Sequence, residues 1–154
     1  MQKITTFLTF KSGGNKAVEF YVSVFKDSII NHAMTMPGTD QLIHASFSLN
    51  GQEFMAMDGG DYEGFHFSDG VSLYVSCKDQ TEVDYYWESL AKNGEKGQCG
   101  WLKDQFGFSW QVIPNRMGEL MSDSNPAKTN AVRQCMLKMN KIVIADLEEA
   151  YNNA

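Results

Sequence analysis

The residues of this 154-residue chain best suited to chemistry are three histidines, three cysteines and one glutamine on an aromatic hairpin. His44 lies in the run Leu42 to Leu49, where it shares a strand face with Ser46 and Ser48 while Ile43, Ala45, Phe47 and Leu49 face the other way. A neutral imidazole in that place can serve as a general base or hold a ligand oxygen. The plainer alternative is a hydrogen-bonded structural histidine. His32 and His66 sit near loops and read as solvated. Gln111 can both donate and accept hydrogen bonds, so it can orient a ligand or tie two strands together. Cys99 becomes a nucleophile only beside a group that stabilises its thiolate, and no such cation is evident. Glu53 and Asp58 show no acid–base partnership.

Gln111 belongs to the stretch GQCGWLKDQFGFSWQVIP, residues 97–114, about which the rest is arranged. Cys99 to Lys103 suits a short strand. Asp104-Gln105-Phe106-Gly107 is turn chemistry, with Asp104 capping the turn and Gly107 free to take a positive φ. Phe108 to Ile113 suits a second strand, ended by Pro114. By alternation Trp110 and Gln111 face opposite ways, Trp110 into a core. Trp101 is then the better surface for stacking a ligand.

The preceding chain supplies elements in order. Ile4 to Phe10 reads as a strand, and Lys16 to Phe25 as a helix capped by Asn15, with Val18, Tyr21, Val22 and Phe25 on one face. Strands follow at Ser28 to Met36, Leu42 to Leu49 and Gln52 to Met57, the last two joined by the turn pair Asn50-Gly51. The loop 58–70 carries Tyr62, Phe65 and Phe67. The order then restarts. Val71 to Cys77 is a strand, and a helix follows with Val83, Tyr86, Trp87, Leu90 and Ala91 as its apolar stripe. A connecting strand near Glu95 to Gln98 is shortened or lost. Asn125-Pro126 opens a helix, and Ile144 to Tyr151 forms another. The expected fold is α+β: two βαβββ modules forming a curved mixed sheet around a concave cavity, plus C-terminal helices. The boundaries are residues 1–60 for the first module, 61–70 for a linker, 71–115 for the second module and 116–154 for a helical extension.

Composition narrows the partners. The net charge of −6 and the absence of clustered Lys and Arg argue against nucleic acid, and no apolar run has the length of a membrane span. Three widely spaced cysteines without a CxxC argue against a disulfide framework or zinc site and favour a reducing cytoplasm. No signal peptide is evident. Nine methionines and ten phenylalanines suit either an adaptable core or an apolar small-molecule pocket.

Several blocks together resemble one family. They are Ala17-x-x-Phe20-Tyr21-x-x-x-Phe25, Ile43-His44-Ala45-x-Phe47, Gly51-x-x-Phe54-Met55, Val83-Asp84-x-x-Trp87-x-x-Leu90, and Cys99-Gly100-Trp101-x-x-Asp104-x-x-Gly107-x-Ser109-Trp110-Gln111-x-x-Pro114. The tail adds Met136-x-x-Met139-x-Lys141-Ile142. The chain resembles the PhnB-like branch of the glyoxalase/bleomycin-resistance/dioxygenase (vicinal oxygen chelate) superfamily, a branch labelled 3-demethylubiquinone-9 3-methyltransferase. The resemblance implies paired βαβββ modules and a homodimer. It also implies a divalent metal held by His and Glu from the first and last strands of each module. Those positions fall here near Thr6, at Val71 or Ser72, at Met55 and at Gln111. Methionine is too soft and glutamine too weak for the hard cations of such sites, so no metal and no cofactor is expected. The methyltransferase label finds no glycine-rich strand-to-helix loop to support it, and no GxGxxG, P-loop, HExxH or GxSxG occurs.

The expected protein therefore binds a small, mostly apolar ligand, with Met55, Met57, Trp101, Cys99 and Phe65 lining the site. Whether it is also an enzyme stays open. The alternatives are a metal-independent enzyme using His44 and Gln111, and a metal-dependent lyase or dioxygenase-type enzyme with displaced ligands.

Overall fold

The computed structural model describes residues 3–154. They divide into two compact units, one ending at Phe67 and one running from Ser68 to Ala154. Phe67 closes the first unit by meeting Phe10 edge-on, with ring centroids 5.1 Å apart.

The first unit has the order β1 (Thr6–Phe10), α1 (Gly14–Val24), β2 (Ile29–Thr35), β3 (Leu42–Leu49) and β4 (Gln52–Asp58). Its sheet is mixed, in the order β1-β4-β3-β2, with β1 parallel to β4 and the other pairs antiparallel. Strand alternation sends Leu8, Phe10, Ala45, Phe47, Phe54 and Ala56 to the helix side, where Ala17, Val18 and Tyr21 of α1 bury them. Asn15 is not the cap of α1. The helix starts two residues earlier than expected, at Gly14 behind Gly13 at φ 80°, and Gly13 gives no side-chain cap. The cap comes from a distance. Asp58 Oδ1 accepts the Gly14 N–H at 2.8 Å, and Asp58 Oδ2 accepts the Leu42 N–H at 2.8 Å.

In β3 the expected alternation fails at one residue. The pairing with β2 slips between Met34–His44 and Thr35–Leu42, leaving Ile43 as the extra residue. Leu42 takes the buried place, 1% exposed, and Ile43 is turned out at 45%.

The second unit repeats the order as β5 (Leu73–Cys77), α2 (Gln80–Leu90), β6 (Glu95–Lys96), β7 (Trp101–Lys103) and β8 (Ser109–Pro114). Its sheet runs β5-β8-β7-β6, again with only the outer pair β5 and β8 parallel. The connecting strand survives as the two residues of β6. Cys99 and Gly100 are not strand. Both have left-handed backbones, φ 56° and 82°, and form the two central residues of a tight turn closed by Trp101 N–H to the Gln98 carbonyl at 3.0 Å. Any Cβ on Gly100 would stand 2.9 Å from the Val112 carbonyl oxygen, so this position needs glycine.

Three helices follow: α3 (Asn115–Met121), α4 (Pro126–Met136) and α5 (Ile144–Asn152). The first of these was not expected. Pro114 ends β8 and caps α3 with no break between them. Leu120, Val132, Ile142 and Leu147 bury Ile113 at the end of β8. Backbone bonds from Cys99 and Gly100 N–H to the Met139 and Asn140 carbonyls, each 2.8 Å, tie the helical segment to the β6–β7 turn.

The β7–β8 hairpin is held by Asp104, which is 3% exposed. Its Oδ1 accepts the Phe106 and Phe108 N–H groups at 2.8 and 3.0 Å, and its Oδ2 accepts Trp110 Nε1–H at 2.8 Å. Asp104→Ala strands three donors, one of them on a buried indole, and is expected to cost about 3 kcal/mol. Asp104→Asn keeps one carbonyl oxygen but opposes an amide N–H to the Trp110 N–H, and is expected to cost about 2 kcal/mol. Urea unfolding of the two variants beside the parent, with equal slopes, measures both.

Candidate functional site

Each sheet has one face covered by its own helix and one turned away from it, and the candidate residues stand on the second. In the first unit the register builds that face in rows. Phe7 pairs with Met55, Met55 with Ser46, and Ser46 with His32. The next row runs from Thr9 to Met57, and the β3–β4 register continues it to His44, which pairs with Met34. His44 is half-buried, with its ring 6.2 Å from Phe7 and 6.2 Å from His32 between centroids. Phe7 and Met55 are left 46% and 37% exposed, which is unusual for such side chains unless something covers or uses them.

Phe65 is placed differently. It stands in the loop after β4, its ring 5.0 Å from Tyr62 and packed over Gly59. Contacts within its own loop hold it.

In the second unit Tyr74, Gln111 and Trp101 form a row across β5, β8 and β7. Gln111 Nε2 donates to Ser72 Oγ at 2.9 Å. Beside Trp101 lies a groove of about 390 Å³, lined also by Gly97, Lys103, Ser109 and Asp69. Asp69 accepts from Ser109 Oγ at 2.7 Å and meets Lys103 Nζ at 3.3 Å. The Ser109 hydrogen bond and then Lys103 hold its carboxyl below the usual range, so this pair persists at neutral pH and weakens only as acid protonates Asp69. Trp110 is 1% exposed and faces the helix side, opposite Gln111. Cys99 is turned elsewhere, its thiol donating to the Met136 carbonyl at 3.7 Å.

The implied metal positions can now be tested against the side chains present. On β1 the residue beside Met55 is Phe7, because Thr6 pairs with Phe54 on the buried side. By the same register the residue beside Gln111 is Tyr74, and not Val71 or Ser72, so the four places are Phe7 and Met55 in one unit, Tyr74 and Gln111 in the other. None offers a carboxylate or an imidazole, and among the described residues no group of three His, Cys, Asp or Glu is placed to hold an ion. These donors do not fit a hard divalent cation. The Phe7 position was legible in principle. Once Leu8 and Phe10 are assigned to the core, alternation puts Phe7 and Thr9 on the other face.

Two mixed four-stranded sheets, each built as βαβββ, with this site geometry define a glyoxalase/bleomycin-resistance/dioxygenase fold. The 3-demethylubiquinone-9 3-methyltransferase family pattern matches residues 2–113, and the chain belongs to that PhnB-like family. The PhnB protein of Bacillus cereus, which carries the same description, is 37% identical over 73% of this chain and 99% of its own, with a TM-score of 0.68. Protein PA1353 from Pseudomonas aeruginosa has the same fold at 17% identity, covering 74% of this chain and 98% of its own, with a TM-score of 0.58. So does the fosfomycin resistance protein FosX from Listeria monocytogenes, complexed with Mn(II) and sulfate, at 17% identity over 71% and 90%, with a TM-score of 0.52. Among curated proteins none matches significantly. Helices α3, α4 and α5 lie beyond the family match.

All three cysteines are free thiols. Burial, followed by Glu82 and Asp79, pushes the Cys77 thiol up to about 12. Its thiolate is therefore absent at neutral pH. Iodoacetamide at pH 8 is expected to leave Cys77 unmodified in the folded protein and to label it only in denaturant, which peptide mass spectrometry reads directly.

Proposed function

We propose that this protein binds a small, mostly apolar molecule through the sheet faces turned away from α1 and α2, without the hard divalent metal of its superfamily. The observation that carries the reading is the set of side chains at the four implied ligand positions. Phe7, Met55 and Tyr74 supply apolar, aromatic and polarisable surface, while Gln111, hydrogen-bonded to Ser72 beside it, can present a donor and an acceptor. Trp101, beside its groove, gives a flat surface for stacking. This is the composition of a pocket that recognises shape and a few hydrogen bonds.

In the same reading Met57 and His44 extend the apolar–polar surface of the first unit. Gln111 orients the ligand, and the protein is a cytoplasmic homodimer whose thiols stay reduced. The side chains placed here bind and orient, and no chemical step is assigned to them.

Two measurements test the reading. An apolar aromatic library screened by tryptophan fluorescence is expected to yield ligands that quench the parent protein. Trp101→Ala is expected to weaken them at least tenfold, and Trp101→Phe only a few-fold. Ligands that bind Trp101→Ala as tightly as the parent defeat the proposal. Addition of Mn(II) or Mg(II) is expected to leave these affinities unchanged. A large metal-dependent gain would show that a hard cation takes part after all.

A further inference from the structure

The same sheet face of the first unit, poor in donors for a hard cation, gathers thioether and imidazole groups that suit a different ion. We infer that the helix-free face of the first sheet carries a binding site for a soft monovalent metal ion, Cu(I), formed by His32, Met34 and His44, with Met57 as a fourth donor. Thioether sulfur and imidazole nitrogen are the ligands such an ion prefers, whereas Mg(II), Ca(II) and Mn(II) select carboxylate and carbonyl oxygen.

The placement is set by the strands. His44 and Met34 are direct cross-strand partners on β3 and β2. Directly opposed side chains on one sheet face start about 5 Å apart, within reach of one ion for a long, flexible methionine. His32 stands two residues before Met34 on the same face, and its ring centroid lies 6.2 Å from that of His44. An ion held about 2 Å from one nitrogen of each ring spaces two imidazole centres by up to about 6 Å, so the two rings need little movement to share one. Met57 follows Met55 by two on β4 and flanks His44 from the other side. Two register slips, between Ile30 and His32 and between Met34 and Thr35, bracket the pairs that set His32 opposite Ser46 and Met34 opposite His44. No carboxylate stands in the two rows that hold these donors, Thr9-Met57-His44-Met34 and Phe7-Met55-Ser46-His32, so the face lacks the ligands that favour harder competitors.

This inference does not depend on the apolar-ligand reading. The ligand is followed at Trp101 in the second unit, and the ion at methionine methyl groups in the first.

The test uses the full chain with its accessible thiols alkylated, so that cysteine does not capture the ion. Ag(I) serves as a redox-stable probe with methyl-labelled methionine NMR, and Cu(I) affinity is taken anaerobically by competition with bicinchoninate. The expected result is one ion per chain, with methyl shifts at Met34 and Met57. Met34→Leu with Met57→Leu is expected to lower the affinity at least tenfold, as is His44→Ala. The leucine changes conserve volume at a partly exposed face, so the fold should hold, and an unchanged urea midpoint verifies it. Shifts confined to Met36 or to the methionines of the C-terminal helices overturn the inference. So does an affinity that the double leucine variant leaves unmoved.

Discussion

The buried carboxylate of Asp104 organises the second unit. A hairpin of three and six residues has little pairing of its own, and its turn must present one tryptophan inward and another outward. Asp104 settles this with one side chain. One oxygen gathers the Phe106 and Phe108 N–H groups and so shapes the turn. The other takes the Trp110 indole N–H and fixes which face of β8 is buried. Because alternation is strict, seating Trp110 inward forces Gln111 outward, where it meets Ser72 and lies in a row with Trp101 and Tyr74. The candidate face is thus set from the core. Unpaired, such a carboxylate would be costly to bury, and its three donors offset that cost.

The first unit uses the same kind of device at a different place. Asp58, the last residue of β4, takes the Gly14 N–H at the start of α1 with one oxygen and the Leu42 N–H at the start of β3 with the other. It joins the beginning of a helix and the beginning of a strand to the end of the strand between them. Gly14 is glycine for this reason, since a Cβ there would come within 2.8 Å of the Asp58 oxygen. The equivalent helix of the second unit has a local cap instead, Asp79 accepting the Glu82 N–H at 2.9 Å. Two units of the same topology therefore start their helices by different means, one through tertiary structure and one through the chain just ahead.

That contrast explains what could be read from the chain alone. The elements themselves were legible, since period-two and period-3.6 patterns are local: the run Leu42–Leu49, the Asn50-Gly51 turn, the α2 stripe and the Asn125-Pro126 helix start are all present. The errors lie where a distant residue decides. Asn15 looks like a cap because the true cap, Asp58, is 44 residues away. Ile43 looks buried because its parity is right, and only the slip against β2 shows otherwise. Cys99 looks like strand because the aromatic Trp101 and Leu102 follow it, yet the tail's carbonyls at Met139 and Asn140 hold Cys99 and Gly100 in a turn. Of the site, Gln111 and Trp101 were legible from alternation within the hairpin. His32 was not, because its neighbour His44 lies on another strand and nothing in the spacing of the two reveals the ring contact.

Strand alternation also separates the residues that must pack from those on the candidate face. Phe54 and Ala56 are 2% and 0% exposed and must fit the packing under α1, while Met55 between them is 37% exposed and faces away from that core. A substitution at Met55 is therefore filtered by what the helix-free face must do and hardly at all by folding. The same holds for Phe7 between Thr6 and Leu8, and for Gln111 between Trp110 and Val112. At such positions a hard-metal ligand can be exchanged for a thioether, a ring or an amide with the scaffold intact. In this chain the residues that stand there are soft, aromatic and neutral.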